Sequence, residues 1–122
     1  MLLINPKAVV NILKNILGSW VTVFVDRPLG SRHPSYPQLV YPINYGYIEG
    51  LIAGDGKEQD AYILGVDQPL SRFFGRVIAI IHRFNDVEDK LVVAPDGAVF
   101  TKEQIIELTA FQERYFDIEV EI

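Results

Sequence analysis

Two aspartates five residues apart, Asp55 and Asp60, flank a turn built on Gly54 and Gly56. Carboxylates so placed can converge on one hard cation, because such cations take oxygen ligands. The same pattern also makes an ordinary Asp-Gly hairpin turn between two strands. Just upstream, Tyr41, Asn44, Tyr45 and Tyr47 crowd into seven residues. Further upstream, the connection from Arg27 to Gln38 contains Pro28, Gly30, Pro34 and Pro37, and carries Arg27, Arg32 and His33. A connection of that length inside a compact domain is often functional. The alternative is a proline-stiffened surface loop.

These residues have to be positioned by a small body. The chain has 122 residues, 49% of them hydrophobic, which suits one domain with a real core. A domain this size buries a modest share of its surface, so a homo-oligomer would help it. The net charge of -5 argues against a nucleic-acid partner, which needs a basic face. The chain has no cysteine, which excludes disulfides, thiol catalysis and thiolate metal sites. The first twenty residues lack a basic start before their apolar stretch and are interrupted by Asn5, Pro6, Asn11, Lys14 and Asn15. They read neither as a leader nor as a membrane span, so the expectation is a soluble, cytoplasmic protein with no membrane partner.

Residues 1–18 are expected to form an amphipathic helix, with Asn5 as cap, Pro6 in the first turn and Gly18 as stop. Trp20 to Asp26 is β-branched and aromatic and reads as a strand. Gly75 to Phe84 reads as a long apolar strand containing His82, expected as a strand-face histidine rather than a ligand. Leu91 to Pro95 is another strand. Thr101 and Gln104 spell a capping box for a helix with an apolar face of Ile105, Leu108, Phe111 and Tyr115, and Ile118 to Ile122 alternates as a short strand. Many short strands between Gly and Pro turns predict a small closed or partly closed barrel over 20–100, followed by a C-terminal helix and strand over 101–122.

The stretch YPINYGYI, then Asp55 eight residues after Tyr47, then Asp60, resembles the soluble inorganic pyrophosphatases. The resemblance runs ungapped from Tyr41 to Leu64 and returns more weakly at Glu88 to Pro95 and Phe111 to Glu119. It implies a mainly β, α+β fold: an OB-like five-stranded barrel with helices outside, assembling as a homo-oligomer. It also implies Mg²⁺, with Mn²⁺ as a substitute, held by Asp55, Asp60 and either Glu88 or Asp89, with Asp86 as a further acidic group. Phosphate oxygens would fall to Arg32 or Arg27, Tyr45, Lys90 and Tyr115. His33 reads either as a further phosphate donor or as an exposed loop histidine.

Four positions, in three places, depart from the family pattern. Lys57 stands where the family has the aspartate assigned as general base; Thr22 and Phe24 stand where it has Lys-x-Glu; Phe116 stands where it has a lysine. An ammonium cannot accept the proton of an attacking water, and losing a general base typically costs ~10²–10⁴ in rate. The implied function is Mg²⁺-dependent hydrolysis of diphosphate or a related phosphoanhydride, weakened at Lys57. The alternative is a non-catalytic protein that binds a phosphorylated metabolite on the same scaffold.

Overall fold

A computed structural model describes residues 15–122. The helix expected over 1–18 lies almost wholly outside these residues; Asn15–Gly18 form a turn. Six strands follow, β1 (Trp20–Arg27), β2 (Asn44–Ile52), β3 (Glu58–Ile63), β4 (Arg72–Arg83), β5 (Lys90–Ala94) and β6 (Ile118–Glu121), with helix α1 (Lys102–Glu113) between the last two. They pair in the order β1-β2-β3-β5-β4-β6, and a further β1–β4 pairing closes the first five into a barrel. All pairings are antiparallel except β3 with β5. This is the OB-like five-stranded barrel expected of the sequence.

The length of β4 makes closure possible. Its first half, Arg72–Arg76, pairs with β1, and its second half, Ile80–Arg83, pairs with β6. A register shift between Val77 and Ala79 lies between the two halves and bends the strand. Between β1 and β2, Gly46 lets the strands cross closely: a Cβ there would meet the Phe24 carbonyl oxygen at 1.9 Å.

Residues of period two separate the two cores. Val23, Ile48, Ala61, Ile63, Val77, Leu91 and Val93, drawn from all five barrel strands, fill the barrel. On the other face Tyr45, Tyr62, Ile81 and Val92 pack with Ile105 of α1 and Val120 of β6. Both faces of β5 are therefore covered, which is why it reads as an unbroken apolar run after Lys90.

The capping box opens α1 as expected, with the Thr101 side chain accepting from Gln104 N and the Gln104 side chain accepting from Thr101 N. The buried stripe differs from the expectation. It is Ile105, Thr109 and Glu113, while Leu108 and Tyr115 are exposed. The helix buries a carboxylate because Arg83 waits beneath it, a partnership no hydropathy pattern reports.

Asn44, fully buried at the start of β2, organises the loops. Its Oδ1 accepts from Leu29 N (2.9 Å) and Leu70 N (3.0 Å), and its Nδ2 donates to Gln68 O (2.9 Å). Asn44→Ala leaves those backbone groups unpaired. The expected loss is on the order of 2–3 kcal/mol, read from urea denaturation midpoints at unchanged slope.

Candidate functional site

The connection from β1 to β2 is folded back on itself rather than loose. Gly30 N donates to Tyr41 O, Tyr41 N to Ser31 O, and His33 N to Leu39 O. His33 Nδ1 accepts from the Ser35 and Tyr36 amides (3.0 and 3.2 Å). With Nδ1 accepting, the neutral ring carries its proton on Nε2. This loop forms one wall of a cavity of about 760 Å³, through His33, Tyr36, Gln38 and Leu39. The facing wall is the end of α1 together with the turn beyond it: Gln112, Arg114, Tyr115 and Phe116. The floor is where barrel strands start or end, with Asp26, Arg27, Tyr45, Asp60, Arg83 and Lys90.

On that floor the central group is the ammonium of Lys90, which is 4% exposed. Its Nζ donates to Asp60 Oδ2 and to Glu88 Oε1, each at 2.8 Å. Asp60 also accepts from the Tyr45 hydroxyl at 2.5 Å. Burial raises the Tyr45 phenol well above its ordinary value, and the Asp60 charge adds to this, so Tyr45 is a donor. Burial pushes Glu88 up, Lys90 pulls it back, and Asp60 and the facing Asp55 push it up again, leaving it at about 7.

A second ionic group lies beneath the helix. Arg83 makes a two-pronged contact with Glu113, Nε to Oε1 at 2.9 Å and Nη2 to Oε2 at 2.5 Å. Glu113 also accepts from the Tyr62 hydroxyl, Gln112 donates to Tyr62, and Tyr41 donates to Gln112. The remaining side of Arg83 meets Asp86 at 2.9 Å, and its guanidinium lies 3.7 Å from the Phe116 ring centre.

The predicted site residues divide accordingly. Tyr45, Asp60, Glu88 and Lys90 come together; Arg27, His33 and Tyr115 line the same cavity. Arg32 does not line it, since its Nη1 is spent on Pro37 O at 2.8 Å inside the loop. Asp55 sits exposed at the β2–β3 hairpin tip, where a bond from Lys57 N holds its carboxyl below the usual value. Lys57 lies beside it, exposed and outside the cavity lining. Gly54 lets this tip approach the β4–β5 tip, since a Cβ there would meet the Val87 carbonyl oxygen at 2.3 Å.

The expected ligand set needs correction. Asp86 is bound to Arg83, and Asp89 accepts from His82 Nδ1 (2.9 Å) and from Arg83 N (3.1 Å), so neither joins Asp60. Between Asp60 and Glu88 stands Lys90 itself. Among the described residues no three His, Asp or Glu side chains are arranged to hold a metal ion. A divalent cation does not fit this arrangement while Lys90 keeps its place. His82 is held on its other side by Glu121 (2.8 Å); burial alone would lower its pKa, but the bonds to Glu121 and Asp89 raise it.

Sequence reasoning missed Tyr36, Arg83, Gln112 and Arg114. Arg83 carried a weak signal, an arginine closing an apolar strand, whose head either reaches water or takes a buried carboxylate. The others are ordinary in sequence and meet only through the fold.

No protein-family model and no curated protein sequence matches the chain. Solved structures do match. An inorganic pyrophosphatase from Neisseria gonorrhoeae is 22% identical with a TM-score of 0.62, over 80% of this chain and 74% of that one. One from Ehrlichia chaffeensis is 16% identical with a TM-score of 0.63, over 84% and 85%. One from Thermus thermophilus is 18% identical with a TM-score of 0.58, over 85% and 81%. The chain therefore has a pyrophosphatase-like fold. No helix of the described residues is long and apolar enough to cross a membrane.

Two substitutions test the ionic groups. Glu113→Gln strips the charge that compensates buried Arg83 and is expected to cost about 3–5 kcal/mol in chemical denaturation. Glu88 rises from 4.5 in the unfolded chain to about 7, so between those values the folded state keeps a proton the unfolded state has lost. Its contribution to stability therefore falls as pH rises through that window. His82, also raised, loses its contribution in the same direction, above its unfolded value of 6.5. Glu88→Gln is expected to flatten the lower part of this decline, and urea midpoints across roughly pH 5 to 8 measure it.

Proposed function

We propose that this chain binds a phosphate-bearing small molecule in the cavity at the barrel mouth, with Lys90 serving as the cation among its carboxylates. One observation carries the reading. The cavity is lined by four cations, Arg27, Arg83, Lys90 and Arg114, against two carboxylates, Asp26 and Asp60, in a chain whose net charge is -5. Arg83 is neutralised by Glu113 and Asp86, and Lys90 by Asp60 and Glu88. Arg27 and Arg114 are less committed. The nearest carboxylate to Arg27 among the described residues is Asp26, at 3.7 Å, and Arg114 lies over the Tyr115 ring at 5.2 Å. Charge-assisted bonds from these two to phosphate oxygens are the strong kind, with the Tyr115 hydroxyl and His33 Nε2–H as neutral donors.

Hydrolysis of a phosphoanhydride is the second reading, favoured by the likeness of fold to the pyrophosphatases. Its water-activating group would not be the residue at position 57, because Lys57 is exposed and outside the cavity lining. Lys90 would have to release Asp60 and Glu88 before a metal ion could enter.

Calorimetry with inorganic diphosphate, in chelator and in Mg²⁺, together with phosphate release, separates the two. Binding in chelator is expected, little changed by Mg²⁺, and weakened roughly tenfold to a hundredfold by Arg27→Ala or Arg114→Ala. Binding and turnover that strictly require Mg²⁺ would establish the hydrolase reading instead.

A further inference from the structure

The cavity is much larger than a diphosphate needs. At about 760 Å³ it falls among pockets that enclose drug-sized ligands, roughly 300–1,000 Å³. Its lining also holds an uncovered aromatic ring besides the arginines. Arg27, Arg114 and Tyr36 all line it, and Tyr36 is 61% exposed.

Tyr36 is a built platform. Its amide donates to His33 Nδ1 at 3.2 Å and its carbonyl accepts from Leu39 N at 2.9 Å, so its backbone is held on both sides. Its ring meets His33 only at a tilt, 47° with centroids 5.1 Å apart. An uncovered aromatic on a backbone held this way offers a face to a planar partner at a reduced ordering cost. Tyr115 has Arg114 over its ring. A guanidinium there can serve a phosphate and a ring together.

Resting on the anion-binding reading above, we propose that the occupant is a nucleoside phosphate, its phosphates toward Arg27 and Arg114 and its base stacked on Tyr36. The net charge of -5 points to a free nucleotide and away from a polymer. Base–aromatic stacking is worth about fivefold to a hundredfold in affinity. Inorganic diphosphate carries its charge on a smaller body, so a purely electrostatic site would prefer it.

The test is calorimetry in chelator with adenosine diphosphate, uridine diphosphate, ribose 5-phosphate and inorganic diphosphate. The nucleoside diphosphates are expected to bind at least about tenfold more tightly than inorganic diphosphate. Tyr36→Leu should bring that ratio close to one, and Tyr36→Phe should keep it. Tyr36 is exposed, so neither variant threatens the fold. Equal or tighter binding of inorganic diphosphate, or a ratio that survives Tyr36→Leu, overturns the nucleotide proposal and leaves the anion-binding reading standing. Ribose 5-phosphate matching the nucleotides also overturns it, because the base would then contribute nothing. Failure of all four to bind overturns both.

Discussion

The buried ion pair between Arg83 and Glu113 is the constraint on which the rest depends. The two side chains are 5% and 1% exposed, and each is fully bonded: Glu113 to Arg83 and Tyr62, Arg83 to Glu113 and Asp86. Removing either partner would strand a charge, so the helix and the end of β4 are tied by an all-or-nothing contact. Everything after Glu113, including Arg114, Tyr115 and Phe116, takes its position from that tie. One cavity wall therefore exists because a helix buries a carboxylate.

The floor obeys a related logic on the opposite charge. Lys90 is as buried as Arg83 and is likewise met by two carboxylates. Where three carboxylates would call for a divalent cation, an ammonium carried by the chain meets two of them. Glu88 and Asp60 then stay close without mutual repulsion dominating, although Glu88 still retains its proton up to about 7. The outcome is that Lys90 and Arg83 are largely neutralised, while Arg27 and Arg114 in the same lining have less to neutralise them.

Much of the fold was legible because it rests on short-range rules. The strands around Trp20 to Asp26, Gly75 to Phe84 and Leu91 to Pro95 announce themselves by β-branched content, and the capping box Thr101–Gln104 marks the helix start. Barrel closure was inferable from turn spacing and resemblance, but not its device: a twelve-residue β4 serving β1 along one half and β6 along the other. The helix face was misjudged, since Thr109 and Glu113 are buried in place of Leu108 and Tyr115. Hydropathy cannot register a polar residue buried for its partner.

For the site, the sequence alone determined the residue types near the chemistry: Asp60, Tyr45, Lys90 and Glu88 lie within or beside recognisable stretches and do meet. Only the tertiary structure decided how they spend their charges. Whether a carboxylate faces a cavity, a histidine or an arginine depends on strand register and hairpin geometry, which one residue of slippage reverses. Asp89 thus went to His82, Asp86 to Arg83, and Arg32 to its own loop. Tyr36 and Arg114, seventy-eight residues apart, became walls of one cavity because a loop folds back and a helix ends there. Local pattern carries types and periods; pairing across the chain is a property of the closed barrel.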